Sequence, residues 1–145
     1  VAQDPSKPVV QLHLDQWWHN REFVSHIPSA CPDWIVTVCF YAALHVVDAL
    51  LIADGRQIYR HTDRSTILKT NSRYLAIRRP YDVLYDLAHT TRYSAKPSEW
   101  VPHEQIPAEV FQRLYVIEHS VRKLLAAHKT SPASVREYAP IALKQ

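Results

Sequence analysis

From Ile35 to Ala53 nearly every position is apolar. A helix of that composition has no face for water and must be covered on all sides. The pattern therefore predicts the central helix of a bundle, over about residues 32–54. Its ends carry their own signals: Pro32 suits a first turn, where a missing N–H costs nothing, and Asp33 complements the positive end of the helix dipole. Gly55, the only glycine, stands where a left-handed C-terminal cap belongs. The polar exceptions Thr37, Tyr41, His45 and Asp48 recur at i, i+4, i+8 and i+11, which draws one hydrophilic stripe down the cylinder.

The remaining elements follow from the same periodicity. Between Val9 and Ile27, Val10, Leu14, Trp17, Trp18, Phe23 or Val24 and Ile27 share one broad face, with the two tryptophans as anchors on the central helix. After Gly55, either Thr62 or Asp63 can cap a helix starting near Arg64, which falters near Asn71 and Ser72 and resumes through Tyr74 to Ile77. Pro80 restarts the chain. Beyond it Val83 or Leu84, Leu87 and Ala88 form a buried side, while Tyr81, Tyr85, His89, Arg92 and Tyr93 form a second aromatic and polar stripe. The proline-rich stretch from Ala95 to Pro107 reads as a functional or mobile loop. A last helix runs from Pro107 to about His128, with Val110, Leu114, Ile117, Val121 and Leu124 as its seam and Glu109–Arg113 and Glu118–Arg122 as pairs on the wet side. Residues 1–8 read as a loose tail, and 129–145 as an extension crossing the bundle or a partner subunit. The expected fold is all-α, one domain, an up-and-down bundle of four to five helices.

Composition agrees. Ten prolines and one glycine in 145 residues suit punctuated helices better than hairpins. Two cysteines make no disulfide framework and read as free thiols in a reducing cytoplasm. The central helix is long enough to cross a bilayer, but an aspartate at that depth costs roughly 2.5–3.5 kcal/mol. With amphipathic neighbours to cover it and no signal-peptide core at the start of the sequence, the expectation is a soluble, cytoplasmic protein with no membrane association. The net charge of +3 is unevenly spread: Arg56, Arg60, Arg64, Lys69, Arg73, Arg78 and Arg79 against Asp63 give one window a charge of +6 and leave −3 elsewhere. Such asymmetry suits an anionic partner, or a solvated face that pairs with acids elsewhere.

In an antiparallel bundle the start of one helix lies beside the end of its neighbour, which would bring His61 and Arg64, one turn apart, next to Asp48. Two histidines, two arginines and a tyrosine beside a basic window are groups that phosphate binding uses. Each also has a structural explanation: His45 as a hydrogen-bonded core residue, Asp48 with Arg64 or Arg92 as a buried pair that fixes register, Tyr93 as a packed ring. His45 and Asp48 with His61 or His89 could make a metal site, but there is no H-E-x-x-H, paired E-x-x-H or C-x-x-C, so no metal or other cofactor is expected.

The run PDWIVTVCFYAALHVVDALL, then HTDR, then a tyrosine-rich helix closing in TTRY, resembles the HEPN family of prokaryotic helical domains over roughly Trp17 to Ser94. The resemblance implies frequent homodimers and association with RNA cleavage or nucleotide binding, often beside an antitoxin-like protein in toxin–antitoxin or other defence systems. The matching positions are His45, His61, Arg64, Arg92 and Tyr93. Ribonucleases of that family carry an arginine, four to six residues, then a histidine. Arg21–His26, Arg56–His61, Arg113–His119 and Arg122–His128 meet that spacing. At ~100° per helical residue, however, separations of five and six put the side chains about 140° and 120° apart, and none is followed by the small polar residue of the active motif. The resulting expectation is binding of RNA or a nucleotide phosphate, with Arg64 and Arg92 as phosphate clamp, His45 and His61 as candidate acid and base, and Tyr41, Asp48 and Tyr93 in support. The alternative is a protein-interaction or dimerisation module with no catalytic activity.

Overall fold

The computed structural model describes residues 7–128 and 136–142, and among them it contains five α-helices and no strand. These are α1 (Lys7–Val24), α2 (Pro32–Ala53), α3 (His61–Thr70), α4 (Leu75–Tyr93) and α5 (Gln112–Ala126). They form an up-and-down bundle in which α1, α4 and α5 all pack on α2, and α3 packs on α4. The apolar helix is thus the centre of the core, as its composition requires. Val36, Cys39, Phe40, Val47, Leu50 and Leu51 are sealed from water, and burying a side chain of Val or Leu size contributes about 1.5–3 kcal/mol. Although α2 is long and apolar enough to cross a membrane, 78% of its most apolar window is covered by the rest of the protein.

The ends of α2 follow the sequence signals. Pro32 opens the first turn with Asp33 beside it. At the other end Gly55 adopts φ +80°. The N–H of Arg56 reaches the Leu51 carbonyl (2.8 Å) and that of Gly55 the Ile52 carbonyl (2.9 Å). This is the paired arrangement that a left-handed cap makes to satisfy the last carbonyls.

Several expectations need correction. Pro80 does not restart the chain: α4 runs through it from Leu75. The helical bond lost at Pro80 would have used the carbonyl of Ala76, an exposed residue on the outer side of the helix. The break falls earlier, at Asn71, followed by a 3₁₀ turn over Ser72–Tyr74. Asp63 is not the residue before α3 but lies inside its first turn, where its carboxylate accepts from the N–H groups of Tyr59 (3.1 Å) and Arg60 (3.0 Å). Tyr81 leaves the polar stripe and is buried beside Phe40. On α1 it is Val24, not Phe23, that turns inward. Val110, Leu114, Ile117 and Val121 are buried, and Leu125 replaces Leu124 as the last buried seam residue of α5, one helical turn beyond Val121. The stretch from Ala95 to Pro107 is pinned down by buried Val101 and Ile106 and by two 3₁₀ turns.

The largest correction concerns Glu118. It is not on the wet side; it is 1% exposed and accepts from Trp17 Nε1 (2.7 Å) and Arg21 Nε (2.6 Å) on α1. Arg122 instead pairs with Glu137 of the C-terminal segment. Glu109–Arg113 does form, at 2.7 Å. Of the C-terminal extension, residues 136–142 cross the bundle: the Tyr138 ring meets Trp17 of α1 and Tyr115 of α5 edge-on, beneath the guanidinium of Arg21. The expected loose tail, apart from Lys7 and Pro8 at the start of α1, lies outside the described residues, as do 129–135 and 143–145.

Candidate functional site

Each residue of the α2 stripe finds its own partner. Thr37 turns back on its helix and donates to the Asp33 carbonyl (2.8 Å). The Tyr41 hydroxyl accepts from Arg92 Nη1 on α4 (2.8 Å). His45 Nδ1 lies 3.0 Å from Nδ1 of His13 on α1. Asp48 takes two hydrogen bonds from Arg64 on α3, Nε to Oδ1 at 2.6 Å and Nη2 to Oδ2 at 2.8 Å.

The Asp48–Arg64 pair is buried and closed, so its two charges largely cancel. Arg64 still has a donor to spare: its Nη1 is 3.2 Å from Nδ1 of His61. Because a guanidinium cannot accept, His61 Nδ1 must be the acceptor, which assigns the ring proton to Nε2. Burial first, then the positive charges of Arg64 and Arg92, hold the His61 imidazole below its usual pKa. In this arrangement the exposed His61 offers an N–H rather than a free lone pair. That suits a hydrogen-bond donor to an anion better than a general base. His45 is likewise held low, by burial first and next by His13. Its Nδ1 is committed to α1 and not to the arginines, so the two candidate catalytic histidines do not share a contact.

Arg92 differs from Arg64. Its Nε donates to the Ala88 carbonyl (3.2 Å) and its Nη1 to Tyr41. Its guanidinium carbon stands 5.7 Å from the rings of Phe40 and Tyr41 and 5.5 Å from that of Tyr93. No carboxylate of the described residues pairs with it. Of five N–H donors, three remain for an incoming group. Half-buried against aromatic faces, the charge is oriented without being neutralised. With Asp33, Trp34, Thr37 and Thr91 it also borders a cavity of about 170 Å³.

Aromatic rings link the two groups. His61 lies 6.0 Å from Tyr85, Tyr85 6.2 Å from His89, and His89 4.7 Å from Tyr93, centroid to centroid. The fold therefore brings Asp48, Arg64 and His61 together, and Tyr41, Arg92 and Tyr93 together, with the charge of Arg92 felt at His61. His45 stands apart with His13. His13 was missed in the sequence, yet it had a signal: it sits three residues after Val10 and four before Trp17, on the inward face of α1.

The basic window is weaker than its formal charge. Arg64 is spent on Asp48, Arg73 on Asp54 (2.8 Å), and Arg60 leans on Asp63 at 3.7 Å. Nor do the arginine–histidine spacings make sites. Arg21, Arg113 and Arg122 each pair with a glutamate, while Arg56 is exposed and His61 turns to Arg64.

A second polar cluster, unforeseen in the sequence, closes the C-terminal end of α2. Asp54 accepts from Arg73 and from the Tyr74 hydroxyl, and His128 Nε2 lies 2.7 Å away. It borders an open cleft of about 540 Å³ that also includes Arg56. The carboxylate is fully engaged, which makes it a tie between helix ends. Among the described residues no three histidine, cysteine or acidic side chains converge as a metal site would require. No family model, curated protein or solved structure matches the chain.

Proposed function

We propose that this protein binds a phosphate-bearing ligand, RNA or a nucleotide, on the face where α3 begins and α4 ends. The observation that carries the reading is Arg92: a guanidinium oriented by the Tyr41 hydroxyl and by the rings of Phe40, Tyr41 and Tyr93, with three donors left over and no carboxylate of the described residues on it. His61 adds an N–H directed by Arg64. In this reading Arg92 is the clamp, Tyr41 and Tyr93 hold it, and the Asp48–Arg64 pair positions His61. The role agrees with the HEPN-like pattern FYAALH, HTDR and TTRY, including its link with RNA in toxin–antitoxin or defence systems. Binding without cleavage is the preferred form, since His61 lends its lone pair to Arg64.

A titration of fluorescein-labelled RNA, followed by anisotropy at rising salt, tests the proposal. Binding should weaken linearly on a log–log plot, as phosphate contacts release counterions, and Arg92→Gln should weaken it at every salt. Absence of binding to RNA and nucleotides at low ionic strength overturns the reading.

The second reading, a protein-interaction or dimerisation module with no activity, draws support from the stripe being already satisfied by protein partners. It predicts that Arg92→Gln leaves nucleic-acid affinity unchanged and that the chain elutes as a dimer whatever ligand is present.

A further inference from the structure

The rings that run along α4 end in the open. Tyr85, His89 and Tyr93 stand at i, i+4 and i+8, so they climb one face of the helix at about 6 Å per step. The inner end is fixed: Tyr85 packs 5.7 Å from buried Phe40. The outer end is free, with Tyr93 72% exposed. A single exposed tyrosine is ordinary on a protein surface. This one is different because its ring adjoins His89, 4.7 Å away and tilted by 46°, and the guanidinium of Arg92, 5.5 Å from its centroid, which no carboxylate of the described residues pairs with. Exposed ring surface and a half-buried, oriented cation thus adjoin one another at the end of α4.

We propose that an unpaired nucleobase stacks on the Tyr93 end of this ring ladder while its phosphate engages Arg92, so that the ligand is a nucleoside phosphate or single-stranded RNA rather than a duplex or a base-free polyphosphate. This rests on the phosphate-binding reading of Arg92. A nucleotide carries the two complementary groups on one scaffold, a planar π face and an anion. In a duplex the base faces are stacked on one another and cannot reach the ring. Stacking of this kind tolerates any base, since each has a π face. Discrimination should therefore concern pairing state and not sequence.

The test compares four probes against the wild-type chain: tripolyphosphate, ATP, a ten-nucleotide single-stranded RNA carrying 2-aminopurine, and the same RNA annealed to its complement. Expected is tighter binding of ATP or the single strand than of tripolyphosphate or the duplex, with quenching of 2-aminopurine on binding. Tyr93→Ala should lower affinity for the base-bearing ligand about 5- to 150-fold, the range of one aromatic–base stack, and Tyr93→Phe should restore it. The tighter of ATP and single strand identifies the source of the nucleotide. Equal binding of ATP and tripolyphosphate, or a Tyr93→Ala variant with unchanged affinity for the single strand, overturns the stacking proposal but leaves the phosphate site standing, provided Arg92→Gln weakens tripolyphosphate. If none of the four probes binds, the stacking proposal and the phosphate reading fall together.

Discussion

Arg64 and Asp48 face each other through two parallel hydrogen bonds of 2.6 and 2.8 Å, with both side chains 8% exposed. The bond ties the ten-residue α3, which has only Arg64 and Leu68 buried, to the central helix. A short helix with so little apolar anchorage depends on that pair for its position.

Removing one partner strands the other charge in the interior. Asp48→Ala should cost about 3–5 kcal/mol, whereas the double variant Asp48→Leu with Arg64→Met should come out near neutral or more stable, because two desolvation penalties vanish together. Urea denaturation of both variants measures this. A double variant as unstable as the single would mean that the pair contributes more than it costs to bury.

Glu118 presents the same physics between α1 and α5. Burial pushes its carboxyl up, with Arg21 opposing. Glu118→Ala leaves Arg21 and the Trp17 indole N–H without their acceptor, and should cost about 3–5 kcal/mol. Since Arg21 also donates to the Ala139 carbonyl, proteolysis of the C-terminal segment should accelerate in the same variant. Unchanged cleavage would show that Tyr138 and the Arg122–Glu137 pair hold the segment without Arg21.

The histidines set a pH dependence whose sign is fixed. His45 of α2 meets His13 of α1, with Asp48 favouring its charged form and Arg64 opposing it. His45 and His61 both have folded pKa values below the ordinary 6.5. The unfolded chain therefore binds more protons at these sites as pH falls through 6.5. Their contribution to stability is present above pH 6.5 and is lost on acidification through the folded values. Thermal unfolding between pH 7.5 and 5 should show a falling Tm, and His45→Gln should flatten the slope. A profile unchanged in that variant would assign the effect elsewhere. Asp54, held low in spite of its burial by hydrogen bonds from Arg73, Tyr74 and His128, adds a separate loss only as pH falls through its own folded value, below 3.8.

Gly55 has φ +80° and open space where a Cβ would go. Gly55→Ala should therefore cost about 1–2 kcal/mol, the penalty of an L-residue in the left-handed region, with no steric term added. Gly55→Asn should cost less, since asparagine adopts that conformation more readily. Equal losses in the two variants would point to a contact made by neither backbone.

Much of the architecture is local and could be read from the chain. The apolar run of α2 demands cover whatever its neighbours are, Gly55 demands a cap, and the i, i+4, i+7 spacing aligns Tyr41, His45 and Asp48 on one side. What spacing does not encode is which distant group meets each polar side chain. That Asp48 takes Arg64 while Arg92 takes Tyr41, that His45 turns to His13, and that Glu118 leaves the surface for Arg21 and Trp17, all depend on the rotation of one helix against another. Helix rotation is set by the packing of whole apolar faces, which local spacing does not specify. The sequence by itself thus determined a bundle around one greasy helix with a hydrophilic seam. The tertiary structure decided which charges facing that seam cancel and which one, Arg92, is left without a carboxylate partner among the described residues.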